Sequence, residues 1–235
     1  MPDEQRVAVV TGSSQGIGRG LALHFIEQGY RVEGCSRGEA PPLTGAYQHA
    51  KVDIRSEEEV RSWISDVGRR HGRIDVLVNN AGVSMPALAL MTSGASAEDA
   101  LRTNVMGTFL VSREVARVML RRKWGRIINI SSMAAALHMQ GTSAYAASKA
   151  AITEMSKVLA RELAPFAITV NVVAPSIVET EMLASLGPEV VESCRQALAI
   201  KRLCTLEDIS GVISFLASDA ASYVTGQVLY LGYVA

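Results

Sequence analysis

Cysteine is scarce in this sequence. Cys35, Cys194 and Cys204 are the only three, they lie far apart, and no two form a C-x-x-C pair. That argues against a disulfide framework and fits reduced thiols in a cytoplasm. The four histidines are scattered, with neither H-E-x-x-H nor a Cys/His cluster, so no metal site is expected. Net charge is absent too. The 23 Lys and Arg balance the 23 Asp and Glu, so no global field draws the chain to nucleic acid or to an anionic membrane. No apolar run approaches the roughly eighteen residues of a membrane span. The stretch MPDEQRVAVVTG carries acids and enters a β-like run directly, which gives no expectation of export. Pro/Gly/Ser-rich linkers, internal repeats and low-complexity tracts are missing as well, and 235 residues without them read as one domain, 1–235.

What is present is alternation. Short β-branched runs (RVAVVT, YRVEGCS, AYQHAKVDI, RIDVLVNNAG, GRIINISS, AITVNVVAP, QVLYL) are separated by segments of helical period at 16–28, 56–71, 97–123, 143–164 and 206–217. Strand and helix repeated in this way imply a parallel sheet covered on both faces, and the nearly all-apolar strands suit that burial. The expected fold is α/β: a single doubly wound, Rossmann-like domain with a mainly parallel sheet of about seven strands.

TGSSQGIG, from Thr11 to Gly18, falls where the first strand ends and the first helix begins. Glycines there allow a tight turn and close backbone approach, and a helix N-terminus favours a pyrophosphate. Gly12, Ser14, Gln15, Gly16, Ile17 and Gly18 are therefore candidates for binding a dinucleotide, although the spacing is G-x-x-x-G-x-G. Cofactor choice is expected at the end of the second strand, where the chain reads GCSRGE. Ser36 stands where an aspartate would select NAD, and Arg37 offers a guanidinium to a 2′-phosphate, which favours NADP(H) with NAD(H) as the alternative. Arg37 also fits a solvated loop charge, and Glu39 would weaken an anion site.

In SAYAASKAA, Tyr145 and Lys149 stand four positions apart, so a helix places them on one face. An ammonium beside a phenol favours phenolate and lowers its pKa, and a phenol tuned towards neutrality can pass a proton. Alone, the pair also fits an exposed contact on an alanine-rich helix.

Taken together, these motifs resemble the short-chain dehydrogenase/reductase family. Thr11-Gly12-x-x-x-Gly16-Ile17-Gly18 matches its glycine motif, Asn79 to Gly82 its N-N-A-G, and Tyr145 with Lys149 its Y-x-x-x-K. Ser132, thirteen residues before Tyr145, and Asn104 in LRTNVMGTF match its catalytic serine and asparagine, and the similarity runs from about residue 6 to about 231. The resemblance implies an oxidoreductase moving a hydride between a nicotinamide and a carbonyl or secondary alcohol. Tyr145 would exchange the proton, Lys149 would lower its pKa and hold the nicotinamide ribose, Ser132 would hydrogen-bond the carbonyl oxygen, and Asn104 would hold a relay water. It also implies adenine contact at Asp53, the adenosine side flanked by Asn80, Ala81 and Gly82, and nicotinamide contacts around Pro175, Ile177 and Thr180. Two departures stand out. Ser176 replaces the usual glycine after Pro175, and the end reads VLYLGYVA where the family has V-D-G-G, in a tail that often helps form its dimers and tetramers.

The resemblance places Ser132, Met133, His138, Met139 and Tyr145 around the substrate and makes 181–204 a covering segment. Methionines there suit an adaptable apolar pocket or ordinary core. Many relatives reduce 3-oxoacyl groups on acyl carrier protein, and Arg121 to Gly125 would supply a basic docking edge; the Pro165-Phe166-Ala167 stretch lacks the second arginine of carrier-protein reductases. The leading expectation is NADPH-dependent reduction of a 3-oxoacyl or related small ketone by a cytoplasmic homotetramer or homodimer. The alternatives are an NAD-dependent alcohol dehydrogenase and a cofactor-binding sensor or scaffold without turnover.

Overall fold

The structure, a computed structural model, describes residues 5–178 and 188–234. Strands β1 (Val7–Thr11), β2 (Arg31–Ser36), β3 (Tyr47–Lys51), β4 (Val76–Asn79), β5 (Gly125–Ile130), β6 (Ile168–Pro175) and β7 (Val228–Leu231) form one sheet in the order β3-β2-β1-β4-β5-β6-β7. Every pairing is parallel, as the sequence pattern implies. The helices are α1 (Gly16–Glu27), α2 (Glu57–His71), α3 (Gly94–Leu101), α4 (Thr108–Met119), the short α5 (Ala134–Leu137), α6 (Ser143–Leu163), α7 (Pro188–Ala197) and α8 (Leu206–Ala217).

Alternation along each strand divides the core in two. Val7 and Val9 of β1 point with Leu77, Ile127 and Val170 into a cluster packed by α2, α4 and α6. Ala8 and Val10 point with Val76, Val78 and Ile128 to the other face, covered by α1 and α8. The helix faces have the matching period: Val60, Trp63, Ile64 and Val67 of α2 recur every three or four residues and are all buried. Helix ends are chemically marked. The Ser56 hydroxyl accepts from the Glu59 amide at 3.3 Å, with acids in the first turn of α2 and Arg69, Arg70 and His71 in its last. Thr205 and Asp208 form a reciprocal capping box that starts α8.

The segment expected as one helix over 97–123 differs. It begins at Gly94, widens into a π turn over Arg102–Gly107, resumes as α4 and stops at Met119. The π turn inserts an extra residue, and a buried polar side chain occupies it: Asn104, 0% exposed. Gly107 closes the turn against Ile54, whose Cδ1 would lie 2.5 Å from any Cβ at that position.

A parallel sheet brings the carboxyl ends of its strands to one edge. The order reverses between β1 and β4, and the crevice opened by that switch is where a doubly wound fold accepts ligands. Gly18 fixes the approach of α1 to this crevice, since a Cβ there would lie 2.3 Å from the Gly12 carbonyl oxygen and 2.4 Å from Asn80 Nδ2. Gly18→Ala is therefore expected to destabilise the fold by about 1–3 kcal/mol. Gly211→Ala, on an exposed face of α8 with nothing within 4 Å, is expected to stabilise it by about 0.5–1 kcal/mol. Urea unfolding of the two variants checks both signs.

Candidate active site

Loops leaving the carboxyl ends of β1, β4, β5 and β6 bring together most of the residues singled out by sequence. After β1, the Gly12 and Ser13 amides both donate to the Cys35 carbonyl, at 2.8 and 3.1 Å, which bends the chain towards α1. Gly16 has φ +55, a conformation open chiefly to glycine. Helix α1 has Gln15 at its N-cap, with no side-chain capping bond and no acid in the first turn. Its leading amides thus form an uncapped, locally positive end that fits a pyrophosphate.

The NNAG segment is sewn to this loop. The Thr11 hydroxyl accepts the Asn80 and Ala81 amides at 3.1 and 3.0 Å, and Asn80 Nδ2 donates to the Thr11 and Gly12 carbonyls at 3.1 and 3.3 Å. Asn80 is thus a stitch between two loops as well as a wall. Asn79 points the other way, into the core, where its amide donates to Ser112 and Asn129 at 2.8 Å each. A Cβ on Gly82 would lie 3.0 Å from Asn104 Oδ1 and 3.5 Å from Lys149 Nζ, so bare backbone faces both polar groups.

Tyr145 lies in the first turn of α6 and Lys149 one turn further on, with the ammonium 5.8 Å from the phenol ring centre. Lys149 is buried, and its Nζ donates to the Ile130 carbonyl at the end of β5, at 2.8 Å. Burial pushes its pKa down to about 8. The expectation that Lys149 lowers the Tyr145 pKa is not met. Desolvation raises the phenol above its ordinary value, and a hydrogen-bonding contact with Ser132 opposes that rise. Ser132 follows β5, and its hydroxyl accepts the Ala134 amide at 3.2 Å.

Asn104 is held from three directions. Its Oδ1 accepts the Val83 amide at 2.8 Å, and its Nδ2 donates to the Val83 carbonyl at 3.0 Å and to Ser148 Oγ at 2.9 Å. Ser148 in turn donates to the Tyr145 carbonyl at 2.7 Å. The sequence pattern does not single out Ser148, nor Ser131, whose Oγ donates to the Lys149 carbonyl at 3.1 Å, and Thr11 enters it only as part of the glycine motif. The signal for Ser148 was its place beside Lys149, with a helix turn separating it from Tyr145.

The remaining residues lie around this centre. Ser36 closes β2, Arg37 is exposed, and Arg37 adds a minor attraction to the Asp53 carboxylate. Asp53 is held by Arg55 through Nε at 3.0 and 2.9 Å and Nη2 at 2.6 Å, which lowers its pKa. Arg55 reaches on to Asp99 at 2.7 Å, beside a cavity of about 500 Å³ also lined by Glu98 and Arg102. Ser176 causes none of the backbone strain that a glycine position would imply, because its φ is not positive. Met133 is buried and packs with Ala174, Leu198 and Tyr233, while Met139 and Ile177 flank that cluster. His138 is exposed with φ +51. Arg121 to Lys123 precede β5 at the opposite sheet edge, a strand length or roughly 20 Å from Ser132. Thr180 and residues 181–187 lie outside the described residues.

Lys149 has a stability signature. Below its native value of about 8 both folded and unfolded chains hold the proton, and the fold bears the full burial penalty. Between 8 and the ordinary 10.5 the unfolded chain binds more protons, so rising pH adds stability. The protein without cofactor should gain stability from about pH 8 to about pH 10, and Lys149→Met should flatten that slope and be more stable at neutrality by about 1–3 kcal/mol. Urea midpoints across that range test it; an unchanged slope in the variant would contradict it.

Comparison with known proteins gives a consistent picture. The family model described as Enoyl-(Acyl carrier protein) reductase matches residues 12–232. The 3-oxoacyl-[acyl-carrier-protein] reductase FabG of Aquifex aeolicus is 35% identical, the alignment covering 96% of this chain and 95% of that protein. The Salmonella typhimurium FabG is 34% identical over 98% of this chain and 97% of its own. Among solved structures, ElxO with NADP bound superposes with a TM-score of 0.89 at 28% identity, covering 97% of both chains. Ligand-free aldohexose dehydrogenase (AldT) of Thermoplasma acidophilum gives 0.88 at 28%, covering 97% of this chain and 92% of that one. With its seven-stranded parallel sheet and these matches along nearly its whole length, the chain belongs to the short-chain dehydrogenase/reductase family of NAD(P)-dependent oxidoreductases.

Proposed function

We propose that this protein is an NADPH-dependent reductase of a 3-oxoacyl or related ketone, with Ser132, Tyr145, Lys149 and Asn104 as its catalytic residues. The observation that carries the reading is the convergence of Ser132, the Tyr145 phenol and the buried Lys149 ammonium at the carboxyl end of β5. The uncapped start of α1, the Gly82 backbone and the buried ammonium supply, respectively, an anion-binding end, room for close approach and a polar anchor, which fit a nicotinamide dinucleotide. When bound, that cofactor supplies the hydride.

The protein's own groups handle the oxygen and the proton. Ser132 donates a hydrogen bond to the carbonyl oxygen as negative charge develops there. Tyr145 gives that oxygen its phenolic proton and becomes phenolate. The burial that raises the phenol pKa keeps it protonated until it is needed. Lys149, brought to about 8, exchanges protons near neutrality and returns one to the phenolate. Asn104, clamped to Val83 and Ser148, presents Oδ1 beside Lys149, where a water can complete the path to solvent.

NADPH is favoured over NADH by Ser36 and Arg37, since the serine brings no carboxylate against a 2′-phosphate and the guanidinium attracts one. The FabG relatives support an acyl-type ketone, and acyl carrier protein is the partner that would present a carrier-bound one. Leu198, against Met133 and Tyr233, supports a covering role for the part of 181–204 within the described residues. A single cytoplasmic domain assembling as a homotetramer or homodimer completes the reading.

Tyr145→Phe is expected to lower kcat by about 10²–10⁴ while NADPH binding, followed by nicotinamide fluorescence, persists. Loss of binding together with turnover would point to a structural role instead. Arg37→Ala is expected to weaken NADPH about tenfold and NADH by less than about twofold. Equal loss for both cofactors would remove the 2′-phosphate assignment.

A further inference from the structure

The loop after β2 carries the residues assigned above to cofactor choice, yet Arg37 and Gly38 belong to no helix or strand. A line of side chains crossing from the glycine-rich loop holds it. Ser13 Oγ lies 3.0 Å from Tyr47 Oη on β3, and Tyr47 Oη lies 3.0 Å from His49 Nδ1. On the other side of the ring, His49 Nε2 is 3.1 Å from the Gly38 carbonyl and 3.1 Å from Ser36 Oγ. Ser36 Oγ itself donates to the same Gly38 carbonyl at 2.8 Å.

Donor chemistry gives this line one direction. A carbonyl can only accept, so Nε2 carries the imidazole hydrogen and donates it to Gly38. Nδ1 then accepts the Tyr47 phenol, whose oxygen accepts the Ser13 hydroxyl. Every donor finds an acceptor, and Ser13 is fully buried. The sheet makes room for it at Gly34, which is paired with His49, because a Cβ there would sit 2.3 Å from Ser13 Oγ and 2.5 Å from Tyr47 Oη.

We infer that His49 is a positioning residue for cofactor selection. It fixes the Gly38 carbonyl, and hence the backbone that presents Arg37, and through Tyr47 and Ser13 it ties that loop to the glycine-rich loop beside the pyrophosphate end. The 2′-phosphate and the pyrophosphate are thereby read by two loops held in one register. Ser36 has its hydroxyl turned onto its own loop, so in this arrangement it shapes the turn while Arg37 supplies the charge. The inference rests on the assignment of Arg37 to the 2′-phosphate.

The test compares wild type, His49→Phe, His49→Gln and Tyr47→Phe. NADPH and NADH are titrated by nicotinamide fluorescence, KM and kcat are measured with each cofactor, and folding is followed by circular dichroism. His49→Phe removes both ring hydrogen bonds and should lower the NADPH-over-NADH preference about fivefold through the NADPH Kd and KM, with kcat at saturating cofactor little changed. His49→Gln keeps an N–H donor and should regain much of the preference; Tyr47→Phe keeps the ring but breaks the line and should fall between. A full wild-type preference in both His49→Phe and Tyr47→Phe, or equal weakening of both cofactors, overturns the assignment. If His49→Phe does not fold, Tyr47→Phe decides by the same ratio. A wild-type protein that binds NADH as tightly as NADPH overturns the Arg37 reading and this one with it, whereas a selective wild type with equally selective variants overturns only the role of His49.

Discussion

The cation of Lys149, buried between α6 and the end of β5, sets the terms for everything around it. Its ammonium donates to the Ile130 carbonyl, and no carboxylate among the described residues pairs with it. Such a charge is unfavourable in a protein interior, and its pKa falls in response. The polar groups around it are themselves held in place by others. Asn104 is clamped to Val83 and Ser148, Ser148 to the helix that carries Tyr145, and Ser131 to the Lys149 carbonyl. The proton-exchange role proposed for Lys149 uses that lowered proton affinity.

The sheet explains why these groups can meet at all. Ser132, Tyr145 and Asn104 come from three separate segments, but all-parallel pairing sends the strand ends to one edge. The reversal between β1 and β4 opens that edge beside the glycine-rich loop. The apolar clusters above and below the sheet use opposite faces of the same strands, so the site rests on two cores.

Much of this was legible in the sequence because it depends on local pattern. β-branched runs marked the strands, the apolar period of α2 marked its buried face, and the glycines after β1 marked the turn and the close approach of α1. The spacing of Tyr145 and Lys149 gave their shared helix face. What the sequence hid depends on three dimensions. The extra residue that turns Asn104 inward interrupts a segment whose composition reads as continuous helix. The direction of the Tyr145 pKa shift is set by burial, which a neighbouring lysine in the sequence does not reveal. Nor does the sequence reveal that Ser176, at the usual glycine position, has a φ open to any side chain. His49 and Tyr47 on β3, Ser13 after β1 and Ser36 at the end of β2 are joined by hydrogen bonds, although their numbers in the chain suggest no relation.

Everything proposed for these groups depends on hydride delivery to a carbonyl carbon. The most direct measurement is isotopic: the protein is incubated with a 3-oxoacyl thioester and NADPH carrying one deuterium at C4 of the nicotinamide, prepared separately as each of the two C4 stereoisomers, and the product is analysed by mass spectrometry. A single deuterium on the new carbinol carbon, from one of the two stereoisomers only, is the expected result. Bound cofactor with no reduced product and no deuterium in any of a broad panel of ketones would contradict it.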